Sequence, residues 1–70
     1  MTVTVTVNGE PRELVPGTTV AELLDELDVP SGRRCVAVAV DAEVVPRGEW
    51  DSTEVPDGAR VEVLVAIQGG

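Results

Sequence analysis

Near the N-terminus the run Thr2-Val3-Thr4-Val5-Thr6-Val7 alternates polar with apolar side chains, and Asn8-Gly9 follows at once. Successive side chains of a strand point to opposite faces, so this alternation specifies a strand with Val3, Val5 and Val7 on one buried face. Asn-Gly is the dipeptide that most readily supplies the two positive-φ positions of a tight hairpin turn. The chain is thereby committed to a two-stranded ribbon, its return strand running from about Glu10 or Arg12 to Val15. Pro11 lacks an amide donor, which places that return strand at the edge of a sheet.

Pro16-Gly17 breaks the ribbon, and Thr19-Val20-Ala21-Glu22 then has the form of a capping box: a Thr N-cap with Glu at the third helical position. Val20, Leu23, Leu24 and Leu27 fall at i, i+3, i+4 and i+7, the stripe of an amphipathic helix, with Glu22, Asp25 and Glu26 toward solvent. The helix is expected to stop before Pro30, with Ser31-Gly32 in the following loop. Cys35 to Val40 is almost wholly apolar, the pattern of a strand covered on both faces. Asp41-Ala42 reads as a turn into Glu43-Val44-Val45, which Pro46 ends. Residues 47–56 read as irregular, anchored by Trp50, and Pro56-Asp57-Gly58 as a turn. A last strand, Arg60 to Ile67, sets Val61, Val63, Val65 and Ile67 on one face and Leu64 and Ala66 on the other.

The order is β-β-α-β-β-β. One helix with one apolar stripe covers one face of one sheet, so the expected architecture is a two-layer α+β domain. Seventy residues suffice for one such domain, here 1–67, followed by a flexible tail of residues 68–70. The apolar fraction of 43% is supplied by Val, Ala and Leu, with Trp50 the one aromatic residue, and β-branched residues favour sheet.

Charge and residue usage remove most functions. Thirteen acids against five Arg and no Lys give a net charge of −8, a field that repels phosphate backbones and anionic lipid. Nucleic acid and membrane are therefore poor partners, and a basic protein surface is the better one. With no His there is no imidazole base and no Ser-His-Asp or Cys-His arrangement. The lone Cys35 excludes a disulfide framework and a multi-thiolate metal site, and its place before an apolar strand reads as burial. The carboxylates fall on helix surface positions and turns, the pattern of a solvated face. No basic-then-apolar leader follows Met1, and no run approaches the roughly 20 apolar residues of a membrane span. The expectation is a cytoplasmic protein that is not an enzyme and binds no metal.

What survives these eliminations is the end of the sequence, Val65-Ala66-Ile67-Gln68-Gly69-Gly70. Paired terminal glycines add nothing to packing and lose the most entropy when ordered, so they read as a means of offering the terminal carboxylate. A carboxylate is a poor electrophile until adenylated. Sulfur delivered to the acyl-adenylate would leave a thiocarboxylate, and the chain would be a group carrier. A tail without Cβ atoms can thread a narrow cleft, reaching about 10 Å if extended. The bland alternative is a frayed terminus. The lack of Lys means that no isopeptide polymer of this chain can form on its own side chains.

Several segments together carry a resemblance over nearly the whole chain: Val7-Asn8-Gly9-Glu10, Thr19-Val20-Ala21-Glu22-Leu23-Leu24, Val36-Ala37-Val38-Ala39-Val40, Val45-Pro46-Arg47 with Trp50, Asp57-Gly58, Val61-Glu62-Val63 and Ala66-Ile67-Gln68-Gly69-Gly70. In their order and spacing they resemble the ThiS family, the sulfur carriers of thiamine biosynthesis in the ubiquitin-like β-grasp group. Asp41-Ala42 departs from the Asn-Gly-like turn of many relatives. The resemblance implies a β-grasp domain with a mixed sheet of four to five strands on one main helix. It implies that Gly70 is adenylated by a ThiF-like enzyme, which uses ATP and magnesium that this chain does not itself bind. A sulfur-transfer enzyme would then form the thiocarboxylate, and thiazole synthase (ThiG) would receive the sulfur. Gly69 would give the tail clearance and Gln68 orientation.

If the valines face the helix, the other sheet face carries Thr, Ala and Leu64. Leu64, Ala66 and Ile67 are the expected partner contacts beside the tail. Other readings remain open at this point: a carrier like the small subunit of molybdopterin synthase, a carrier of a cysteine or other sulfur-metabolite pathway, a protein modifier joined through Gly70, or an interaction module with an inert tail.

Overall fold

The alternating segment folds as expected in the computed structural model, which describes residues 1–27 and 36–65. Strand β1, Val3–Val7, pairs antiparallel with β2, Glu10–Leu14, in a register that sets Val3 opposite Leu14 and Val7 opposite Glu10. Asn8 and Gly9 make the turn with φ of 51° and 86°, the double positive that the right-handed twist of a two-residue hairpin requires. Pro11 sits opposite Thr6 on the edge strand, where its missing donor leaves no ladder bond unmade. The return strand ends at Leu14, one residue short of expectation. The carbonyl of exposed Val15 is instead taken by the Thr18 amide and hydroxyl, which closes the turn containing Pro16-Gly17.

Helix α1 runs Val20–Glu26 with Thr19 as its N-cap. The capping box is complete: the Glu22 amide donates to Thr19 Oγ1 at 3.2 Å, and the Thr19 amide donates to Glu22 Oε1 at 2.9 Å. The amides of Val20 and Ala21 donate to the carbonyls of Thr53 and Trp50 at 2.9 and 3.0 Å. The open donors of the first turn thus tie the helix to a segment far along the chain. Val20, Leu23 and Leu24 are buried, and Leu27 packs half-buried beside them.

Strand β3, Val36–Val40, corrects an expectation. Val36 and Val38 are buried but Ala37 is exposed and Ala39 only half-buried, so the strand is covered on one face. A sheet with one helix has one covered face, and Ala leaves little apolar surface on the other. Asp41 and Ala42, at φ of 52° and 70°, turn the chain into the two-residue strand β4, Glu43–Val44. Residues 47–56 are more regular than expected. Arg47–Glu49 forms a 3₁₀ turn and Thr19 bridges Glu54. Trp50 is half-buried, donates from Nε1 to the Val45 carbonyl at 2.9 Å, and lies 5.4 Å beneath the Arg47 guanidinium. Val45 and Val55, both buried, anchor that segment with it.

Around Gly58, at φ 83°, the chain turns back. Thr4 holds this turn from both sides, its amide donating to Asp57 Oδ1 at 2.8 Å and its carbonyl accepting from the Gly58 amide at 2.7 Å. Strand β5, Arg60–Val65, then enters the middle of the sheet, parallel to β1 and antiparallel to β3. The spatial order β2-β1-β5-β3-β4 makes a mixed five-stranded sheet with α1 on one face, which is the β-grasp arrangement. The core lies between them, with Val5, Val20, Leu23, Val38 and Val61 almost wholly removed from solvent. The expected positions of Pro30, Ser31-Gly32, Cys35 and residues 66–70 lie outside the described residues.

Candidate functional site

Strand β5 leads from the core to the Gly-Gly end, and its alternation divides its labour. Val61 and Val63 point into the core at 0% and 7% exposure, while Leu64 stands on the opposite face at 68%. Register builds a continuous strip there. Leu64 is opposite Ala37, Ala39 is opposite both Glu62 and Val44, and Val44 is 74% exposed. Ala37, Ala39, Val44 and Leu64 therefore form an apolar band across β5, β3 and β4. Glu62 and Arg60 are exposed beside it on the same face, and Glu43 is exposed next to Val44 on the opposite one. Thr4 and Thr6 continue the same face on β1, with Thr6 beside Arg60. Leu64 is where the sequence reading set it. Ala66, Ile67, Gln68, Gly69 and Gly70 lie outside the described residues, so the face is described up to Val65, five residues before Gly70.

Val44 was not foreseen in this face, because the antiparallel partner of a two-residue strand is not written in local alternation. In the sequence Asn8 reads only as a turn residue. Its side chain does more: Nδ2 donates to the Val63 carbonyl at 3.1 Å, and Oδ1 accepts from the Val63 amide at 2.9 Å. The two bonds fix the orientation of the amide, since only its oxygen can receive an N–H. The sequence signal was Asn at a positive-φ position ending a strand, but its target lies 55 residues away.

On the inner side, Arg12 reaches from β2 to the helix end, its Nη2 donating to the Glu26 carbonyl at 3.3 Å. A groove of about 280 Å³ opens between β2 and the end of β5, its lining including Asn8, Arg12, Leu27, Val63 and Val65. Among the described residues no group of three or more Asp, Glu, His or Cys is arranged to hold a metal, and no helix is long and apolar enough to cross a membrane. The described surface thus offers an apolar face with charged neighbours toward the end of β5.

Known proteins share this sequence pattern and this fold. The sequence model of the ThiS family matches residues 5–70. The chain is 33% identical over 63 residues to the sulfur carrier protein ThiS of Escherichia coli strain K12, a match covering 90% of this chain and 92% of that protein. It is also 41% identical over 64 residues to a thiazole synthase of Paramagnetospirillum magneticum. That match takes in 91% of this chain but spans only 19% of the synthase. The crystal structure of thiamine biosynthesis protein ThiS from Geobacter metallireducens superimposes with a TM-score of 0.79 at 37% identity, covering 97% of this chain and all of that one. A solution structure of a thiamine biosynthesis protein from the same organism gives 0.74 at 39% identity, with 97% and 88% covered. A match running from the first strand through the two final glycines, together with one shared fold, makes this chain a member of the ThiS family.

Proposed function

We propose that this chain is a sulfur carrier of thiamine biosynthesis and that the terminal carboxylate of Gly70 is its reactive group. The observation that carries the reading is the family match extending through Gly69 and Gly70. A carboxylate oxygen attacks the α-phosphate of ATP on a ThiF-like enzyme, with magnesium, and pyrophosphate leaves. The resulting acyl-adenylate is an electrophile with AMP as leaving group. A sulfur nucleophile displaces AMP, either as sulfide or as a persulfide sulfur subsequently released by a thiol, and leaves a C-terminal thiocarboxylate. The chain contributes position and recognition, and the activating enzyme contributes catalysis.

Thiazole synthase is the acceptor in this reading. It is supported by the similarity of this chain to a segment of a protein bearing that name. The apolar band around Leu64 is the docking face for the activating enzyme, with Ala66 and Ile67, which follow in the sequence, as further contacts, because an exposed apolar patch beside a reactive terminus fits a partner better than water. The net charge of −8 selects a basic mate and works against nucleic acid or anionic membrane. The protein acts in the cytoplasm, where ATP and reduced sulfur donors coexist, and is a co-substrate with no turnover of its own.

The test is intact-mass measurement after incubation with ATP, a ThiF-like enzyme and a sulfur donor. The expected product is heavier by the exchange of one oxygen for sulfur, and a chain lacking Gly70 shows no change while melting at the same temperature. Adducts of this chain on lysines of other proteins would mean a modifier instead, and an unchanged wild-type mass would remove the carrier reading.

A further inference from the structure

We infer that Asn8 is a positioning residue for the reactive terminus: its side-chain amide clasps Val63 and holds the end of β5 on the line along which Gly70 is presented. The inference rests on the carrier reading for its functional half and on geometry for the rest.

The geometry begins with where β1 stops. Strand pairing between β1 and β5 covers Thr6–Arg60 and Val7–Val61, with the Thr6 amide on the Ala59 carbonyl and the Asn8 amide on the Val61 carbonyl at 3.0 and 2.9 Å. A further β1 residue in the extended line would next satisfy Val63. The chain cannot supply it, because Asn8 at φ 51° has already turned toward β2. The Asn8 side chain takes the place of the missing peptide. It offers one acceptor and one donor, spaced like a backbone amide, to the amide and carbonyl of Val63. The parallel ladder is thus extended by a side chain beyond the point where the strand itself departs.

What this protects follows from the neighbouring strands. On its other side β5 is paired with β3 as far as Val65 opposite Val36. On the β1 side, the groove that includes Arg12, Leu27 and Val65 opens beyond Asn8. Without the clasp the end of β5 would be held along one edge alone, and water entering from the groove would compete for Val63. The seven residues that follow Val63 would then start from a root free to swing. A reacting carboxylate at the end of such a lever would be misaligned, which lowers the rate of chemistry more than it weakens docking.

Asn8→Gly isolates the clasp, because Gly keeps the positive φ of the turn while removing both hydrogen bonds. Asn8→Asp keeps the turn and the acceptor and loses the donor. Two readouts decide the matter. In native-state hydrogen exchange of the intact chain, Asn8→Gly should speed exchange of the Val63 amide about tenfold relative to Val38, as expected for losing two hydrogen bonds of ordinary strength at one site. In pyrophosphate release with the ThiF-like enzyme, kcat should fall about five- to tenfold while the KM for the carrier stays within about twofold, with Asn8→Asp between the variant and wild type. Val55→Ala, a core change remote from β5's end, supplies a comparison matched in thermal stability. Unchanged Val63 exchange in both Asn8 variants would overturn the clasp. An equal fall of kcat in Val55→Ala, or a rise of KM with kcat preserved, would overturn the positioning role. Failure of the wild-type chain to react at all would count against the carrier reading, while the exchange experiment would still decide the clasp.

Discussion

The two faces of the sheet are built from the same strands and ask for different things. The inner face uses Val5, Val38, Val61 and Val63, stiff side chains packed under Leu23 and Leu24. The outer face uses Thr4, Thr6, Ala37, Ala39 and Leu64, all exposed or half-exposed, with no second layer over them among the described residues. On β5 the contrast occurs between neighbours, since Val63 is 7% exposed and Leu64 is 68% exposed. Period-two geometry lets one strand carry stability and recognition without either constraining the other. Substitutions inside should therefore change folding, and substitutions outside should change partnership.

The strongest attempt to break this division is Leu23→Ala, which empties a fully buried site. Its expected cost of about 2–5 kcal/mol rivals the roughly 3–5 kcal/mol that one small core supplies, so circular dichroism should show a largely unfolded chain. A cooperative melt within a few degrees of wild type would mean that the inner face does not dominate stability. Leu64→Arg is the counterpart outside. It should raise the KM for adenylation about tenfold, a typical loss for a central apolar contact, and shift unfolding by no more than about 0.5 kcal/mol. If adenylation kinetics stay unchanged, the docking role of that face is lost.

Thr19→Ala comes next. Removing the side-chain half of the capping box should destabilise the domain by about 1 kcal/mol, or roughly 4–8 °C in Tm, with adenylation of the folded protein unaltered. The smallest effect belongs to Ala42→Gly, which touches neither face. Relief of a left-handed Ala, about 1–2 kcal/mol, is offset by about 0.4–1 kcal/mol of added unfolded-chain entropy. A net gain of about 0.5 kcal/mol in a denaturant titration is expected, and it sets the scale below which differences between the faces carry no meaning.

Legibility in the sequence followed the range of each interaction. The hairpin at Asn8-Gly9 and the Thr19–Glu22 capping box were readable because their determinants lie within a few residues of one another. The single covered face of β3 was not readable, since Ala37 and Ala39 are apolar enough to be buried and small enough to be left open. The attachment of α1 to the carbonyls of Thr53 and Trp50 depends on chain segments that only the fold brings together. The same holds for the Asn8 clasp, whose two ends are separated by most of the chain. At the candidate site Leu64 was placed by alternation alone, and Val44 joined it through sheet order. The terminal glycines stand out in the sequence by their lack of side chains, and their role rests on the carrier reading, since they lie outside the described residues.

The central place of β5 has a mechanical consequence. A load applied beyond Val65, as when a partner draws the terminal segment into a cleft, runs along the axis of a strand bonded to β1 on one side and to β3 on the other. Such a load shears both ladders together, so many hydrogen bonds must yield at once. A terminus leaving from an edge strand and pulled away from the sheet would unzip one bond at a time. A pull on the segment beyond β5 would therefore meet the strand hardest to extract, and the domain would serve as a firm handle for it.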